Sequence, residues 1–220
     1  MVNNIDKLIL VPGHAPFKDS VVEVPNDFRE DKYWVLQEFQ TGEPVYYCEH
    51  IEAGAKLAAR DSASLLLFSG GRTRQESERW SEAATYKAIY DKLGLDTFGV
   101  NVELEEYARD SFENLEFSLY QFYRRIGRYP IHVTIAGWKF KADRFLLHAK
   151  ALGIPSDKVE YVGVNNPENL AGALIGEERV LAEFAADPFG GNAVLSGKRL
   201  DRNPFSDVHP YEKLPPIVVG

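Results

Sequence analysis

Five short apolar runs, each stopping abruptly at a glycine or a polar cluster, constrain this chain more than any other feature. They are Leu8-Ile9-Leu10-Val11, Ser64-Leu65-Leu66-Leu67-Phe68, Gly99-Val100-Asn101-Val102-Glu103, Ile131-His132-Val133-Thr134-Ile135 and Val159-Glu160-Tyr161-Val162. Short β-rich runs of this kind belong to strands covered on both faces, as in a parallel sheet. Between them lie stretches with helical spacing of apolar residues, about 46–60, 78–93, 111–126 and 144–152, and a last one over 167–185. Strands alternating with helices predict an α/β chain: a Rossmann-like, doubly wound sheet of about five parallel strands with helices on both faces. Such sheets bind ligands beyond the carboxyl ends of their strands, near the point where strand order reverses.

The 220 residues suit one domain spanning 1–220, with 45% hydrophobic and 26% charged residues, near the globular average. No apolar run approaches the ~20 residues needed to cross a bilayer, and Met1 to Lys7 lacks a signal-like pattern. A cytoplasmic protein without a membrane partner is expected. A net charge of −8 disfavours nucleic acid as a partner, because displacing counterions needs a basic surface. Cys48 is the single cysteine, so no internal disulfide forms. Its neighbour His50 invites a nucleophile reading, but residues two apart on a helix face different ways, which favours a structural thiol.

Two segments break the alternation. Residues 15–43 form a polar and aromatic insertion after the first strand, long enough to act as a lid, a partner surface or a mobile segment. The tail from about 187 is rich in Gly, Pro, Asn and Arg and reads as an extended strap, with Arg199, Arg202, His209 and Tyr211 spread along it.

The loops after the strands carry the candidate chemistry. After the first strand, Gly13 permits a tight turn and His14 stands at the mouth of the expected cleft as acid, base or anion ligand, or as a structural histidine. After the second, Ser69-Gly70-Gly71-Arg72-Thr73-Arg74 offers backbone N–H groups and two guanidinium groups to a phosphate or carboxylate. It is neither a Walker loop nor a dinucleotide fingerprint. After the third come Glu105, Glu106, Asp110, Ser111 and Asn114. Asp110 or Ser111 suits a helix N-cap, while the acidic cluster suits a general base or oxygen ligands for a divalent cation. After the fourth, Trp138, Lys139, Lys141 and Arg144 combine cations with a ring that would cover a planar ligand.

The order of these motifs resembles the domain-of-unknown-function 218 superfamily, the YdcF-like and SanA-like proteins. The matching positions are Gly13, Ser69-Gly70-Gly71, Ser81-Glu82-Ala83, Glu105 or Glu106 with Asp110-Ser111-Phe112-Glu113-Asn114, and Phe140-Lys141-Ala142-Asp143-Arg144, across roughly Leu8 to Gly163. The resemblance implies a Rossmann-like fold with a polar pocket built from these loops. It also implies S-adenosylmethionine binding, as associated with some members, or an envelope-related role, as with others. Lys141 stands where the family carries a histidine, so a role that needs a neutral imidazole does not transfer. The lack of a membrane anchor points to a soluble branch.

Three functions follow as expectations. The first is an enzyme, a hydrolase or transferase, acting on a phosphorylated or other anionic small molecule. Arg72, Arg74, Lys141 and Arg144 would hold the anion, and Glu82 or Glu106 would act as general base with help from His14. The second is a protein binding S-adenosylmethionine or a nucleotide-like ligand, although Ser69 replaces the usual acidic residue at the end of the second strand. The third is a non-catalytic interaction protein using the insertion and tail. No ligand spacing demands a metal, and a divalent cation bridging the carboxylates remains an open cofactor beside S-adenosylmethionine.

Overall fold

The computed structural model describes residues 5–220; Met1–Asn4, part of the start read above for a signal pattern, lie outside them. Five strands, β1 (Lys7–Pro12), β2 (Ser64–Ser69), β3 (Asn101–Glu105), β4 (His132–Trp138) and β5 (Val159–Asn165), form one parallel sheet in the order β3-β2-β1-β4-β5. Among the described residues six helices surround it: α1 (Pro44–Ala58), α2 (Glu82–Lys92), α3 (Ser111–Ile126), α4 (Ala142–Ala151), α5 (Leu170–Ala186) and α6 (Ala193–Asp201). The fold is the Rossmann-like α/β arrangement expected, with its order reversal between β1 and β4.

Alternation along each strand sorts the core into two layers, because successive side chains point to opposite faces. Ile9, Val11, Leu66, Phe68, Ala136 and Trp138 pack with Tyr47, Ile51, Tyr86 and Ile89 of α1 and α2. Leu8, Leu10, Leu65, Leu67, Val133 and Ile135 pack with Leu115, Leu119, Phe122 and Phe145 of α3 and α4. Central β1 and β2 are thus covered on both sides, which explains their unbroken apolar runs. No helix among the described residues is long and apolar enough to cross a membrane.

Several boundaries differ from the sequence expectation. The β3 ladder starts after Gly99, which holds φ +66° at the end of a 3-10 turn, and runs on to Glu105. Helix α2 begins at Glu82 rather than near 78, because extended Ser81 caps it by accepting a hydrogen bond from the Ala84 N–H.

The insertion is a packed cap. Phe17 and Trp34 pair across an isolated antiparallel bridge, Phe28 is buried with them, and Ser77 Oγ and Thr85 Oγ1 bond the Phe17 backbone. The tail is only partly a strap. Asn192 accepts from the N–H groups of Val194 and Leu195 and starts α6, whose Leu195 packs on Phe112 and Phe184. Beyond α6 the chain continues without regular structure past α3, where Tyr211 packs against Phe117, and ends with the Gly220 N–H on the Pro130 carbonyl.

Candidate functional site

A cavity of about 700 Å³ opens beyond the carboxyl ends of β1 and β4, within the size range of small-molecule sites. Gly13 and His14 follow β1, Trp138 ends β4 and Lys141 follows it, Arg74 comes from the β2–α2 connection and Glu82 opens α2, and Asp110, Ser111 and Asn114 lie at the start of α3. Arg144 of α4 completes the set predicted from sequence that lines the cavity. The strand-order reversal is what gathers these loops at one place.

The cations along the wall fall into two groups. Arg109 is paired with Glu113, and Arg144 holds Glu177 through Nε and Nη2, both at 2.7 Å. Lys141, Arg74 and Arg202 line the same cavity and form no ion pair among the described residues. Arg202 donates from Nη1 to the Arg109 carbonyl (3.0 Å), and Arg74 makes one long bond to the Thr73 carbonyl (3.5 Å). The buried Arg74 Nε has no partner. Lys141 Nζ lies 3.5 Å from His14 Nδ1, and burial, reinforced by the Arg144 charge, lowers its pKa to about 8. Burial and Lys141 hold His14 neutral, well below the usual histidine range. With Lys141 donating to Nδ1, the His14 proton sits on Nε2, a buried atom that has no partner.

Besides the paired Glu177, two wall carboxylates act on Lys141: Glu82, and Glu43, whose pKa is raised by burial and which accepts from Tyr47 Oη (2.6 Å). Glu82 is 8% exposed at the first turn of α2, and Thr73 Oγ1 donates to its Oε1 at 2.6 Å. Burial raises its pKa, while the Thr73 bond and the charges of Arg74, Arg202 and Lys141 oppose the rise. The glycines beside it make room: a Cβ at Gly13 would fall 2.5 Å from Glu82 Cβ, and one at Gly70 (φ +150°) 2.6 Å from Glu82 Oε2. The Gly70 requirement is therefore packing against a carboxylate.

At the start of α3, Asp110 is the N-cap, accepting from the Glu113 N–H (2.9 Å), while Arg199 of α6 donates to its other oxygen (2.6 Å). Ser111 Oγ accepts from Arg144 Nη1 (2.8 Å) and lies 2.8 Å from His148 Nε2. Burial lowers His148 to about 3, so the Ser111 proton bonds a weakly basic ring within an aromatic cluster.

The other sequence candidates lie off the cavity wall, and each has another employment. Arg72 turns to the tail, where it pairs with Asp207 and stacks on Phe205. Ser69 Oγ lies 2.6 Å from Glu105 Oε2 and 2.8 Å from Asn114 Oδ1. Glu105 is fully buried and also accepts from the Tyr107 and Ala108 N–H groups, and burial pushes it up to about 7. That network fixes the chain turn after β3. Glu106 is exposed and accepts from the capping Ser81, which leaves Glu82 as the general-base candidate that faces the cavity. Gly71 donates its N–H to the Ala108 carbonyl, and exposed Lys139 packs its stem on Gly163. The acidic run after β3 thus points in divergent directions, and among the described residues no three His, Cys, Asp or Glu side chains converge on a metal-sized space. Cys48 is buried and pushed up to about 12, and its neighbour His50 bonds Asn165 instead (2.7 Å), consistent with a structural thiol.

Sequence reasoning missed Arg202, Glu177 and Phe39 as wall residues. Arg202 arrives from the tail and Glu177 from α5, and no local motif marks either. Phe39 sits in the insertion, where the only signal was an aromatic residue in a long polar loop.

No protein-family model matches the chain, and no solved structure matches it. Among curated proteins it is similar to Uncharacterized protein YOR238W of Saccharomyces cerevisiae, 26% identical over 260 residues that cover 93% of this chain and 86% of the yeast protein.

Proposed function

We propose that this protein is an enzyme acting on a phosphorylated or other anionic small molecule held beyond the carboxyl ends of β1 and β4. The observation that carries the reading is that Lys141, Arg74 and Arg202 line one cavity unpaired beside the buried carboxyl of Glu82. Enclosed cations without a direct ion-pair partner are costly, and an anionic ligand offsets that cost. In hydrolysis or transfer, an attacking water or hydroxyl would lose its proton to Glu82 while its oxygen bonds the electrophilic centre. The leaving group would then depart with the electron pair of the broken bond. The motif order supports placing the chain in a soluble branch of the YdcF-like superfamily.

The reading as an S-adenosylmethionine protein gains support from the rings of Tyr46, Trp138 and Phe140 along the wall. It fits the cations less well, because a sulfonium would meet three unpaired positive charges. The test is turnover across a panel of phosphomonoesters, phosphodiesters and acyl phosphates. Glu82→Gln should lower kcat by about 100-fold or more with KM little changed. A Glu82→Gln variant as active as the parent would remove Glu82 from its role.

A further inference from the structure

The substrate class can be narrowed, on the strength of the anion site just proposed, by another residue on the wall of the same cavity. Phe39 lines the cavity yet is 73% exposed. A lone exposed apolar side chain ordinarily needs no explanation. Phe39 differs because it is carried on a braced turn. It is the middle residue of the 3-10 turn Glu38–Gln40, closed by a capping box in which Gln40 Oε1 accepts from the Gln37 N–H (3.0 Å). Gln40 Nε2 then donates to the His14 carbonyl (2.9 Å) and to Tyr47 Oη (3.1 Å). The turn is thereby tied to the residue whose ring meets Lys141. An aromatic ring is held in fixed relation to the cation cluster while most of its own surface stays uncovered.

Half-buried Tyr46 and Phe140 add ring surface to the same wall, both packed on the buried Trp138 (centroids 5.5 Å and 5.9 Å away). Rings bind flat apolar groups by stacking and area burial, whereas a small aliphatic phosphate gains little from them. We infer that the cavity takes a phosphorylated molecule whose other end is a flat aromatic group, with Phe39 as the residue that covers that group and sets the preference for it.

Calorimetric titration of the full chain at pH 7 with inorganic phosphate, glycerol phosphate and phenyl phosphate tests this. The parent should bind phenyl phosphate about five- to tenfold more tightly than glycerol phosphate. Phe39→Ala should lose most of that advantage and leave inorganic phosphate affinity unchanged. Because Phe39 is exposed, an unchanged Tm is expected and checks the fold. Equal affinity for the two esters in the parent, or an advantage that survives in Phe39→Ala, would overturn the inference and leave the anion site standing. Binding of none of the three would overturn both.

Discussion

Lys141 Nζ stands 3.5 Å from His14 Nδ1, which joins the loop after β4 to the loop after β1 at the place where the sheet reverses its order. The two residues are 127 positions apart, and neither is paired with a carboxylate. Their contact therefore sets a cation beside a neutral imidazole at a place that only the folded chain possesses, where the proposed anion would sit.

The pH behaviour of Lys141 follows from its depressed pKa of about 8 against an ordinary 10.5. Below pH 8 the amine is charged in both folded and unfolded chains, and the burial cost is fully present. Between about pH 8 and 10.5 the folded chain releases the proton first, so this group makes stability rise with pH. Lys141→Met should accordingly stabilise the protein at pH 7, by a margin that shrinks above pH 8. Urea unfolding at both pH values measures it. Anion binding should favour the charged amine, so calorimetry near pH 8.5 in buffers of different ionisation enthalpy should show proton uptake in the parent and less in Lys141→Met.

Arg144 has a structural partner of its own. Its bidentate pair with Glu177 is buried, with side chains 11% and 9% exposed. Arg144→Ala strands Glu177 and should cost about 3–5 kcal/mol in urea unfolding, whereas Arg144→Met with Glu177→Met should recover most of that loss. Equal stability of parent and single variant would contradict the role.

Two glycines with positive φ separate strain from crowding. Gly127 ends α3 at φ +85° with nothing within 4 Å of an added Cβ, so Gly127→Ala should cost about 1–2 kcal/mol from backbone strain. Gly70→Ala meets Glu82 at 2.6 Å and 2.7 Å as well, and should cost about 2–3 kcal/mol more. The comparison is read from paired urea melts.

Strand positions were legible because both faces of β1, β2 and β4 are covered, which leaves short continuous apolar runs. Side-chain direction at the strand ends was not. Glu82, Glu105 and Glu106 looked alike in sequence, yet the β3 ladder continues to Glu105 and turns it into a buried network, while Glu106 points to solvent. Helix α6 left little trace because Leu195 is its one buried residue, so it has no apolar stripe to read. Arg202 reaches the cavity only because α6 docks Arg199 on Asp110, a contact 89 positions apart that no local pattern encodes.

The most direct test of the proposed anion site is titration of inorganic phosphate into the parent and into Arg74→Gln, Lys141→Met and Arg202→Gln, with Arg72→Gln as the comparison. Arg72 is paired with Asp207 away from the cavity wall. The site described here predicts saturable binding in the parent, about tenfold weaker binding in each of the three cavity variants, and parent-like binding in Arg72→Gln. Phosphate affinity that falls in Arg72→Gln and holds in the other three would place the anion elsewhere and contradict the account.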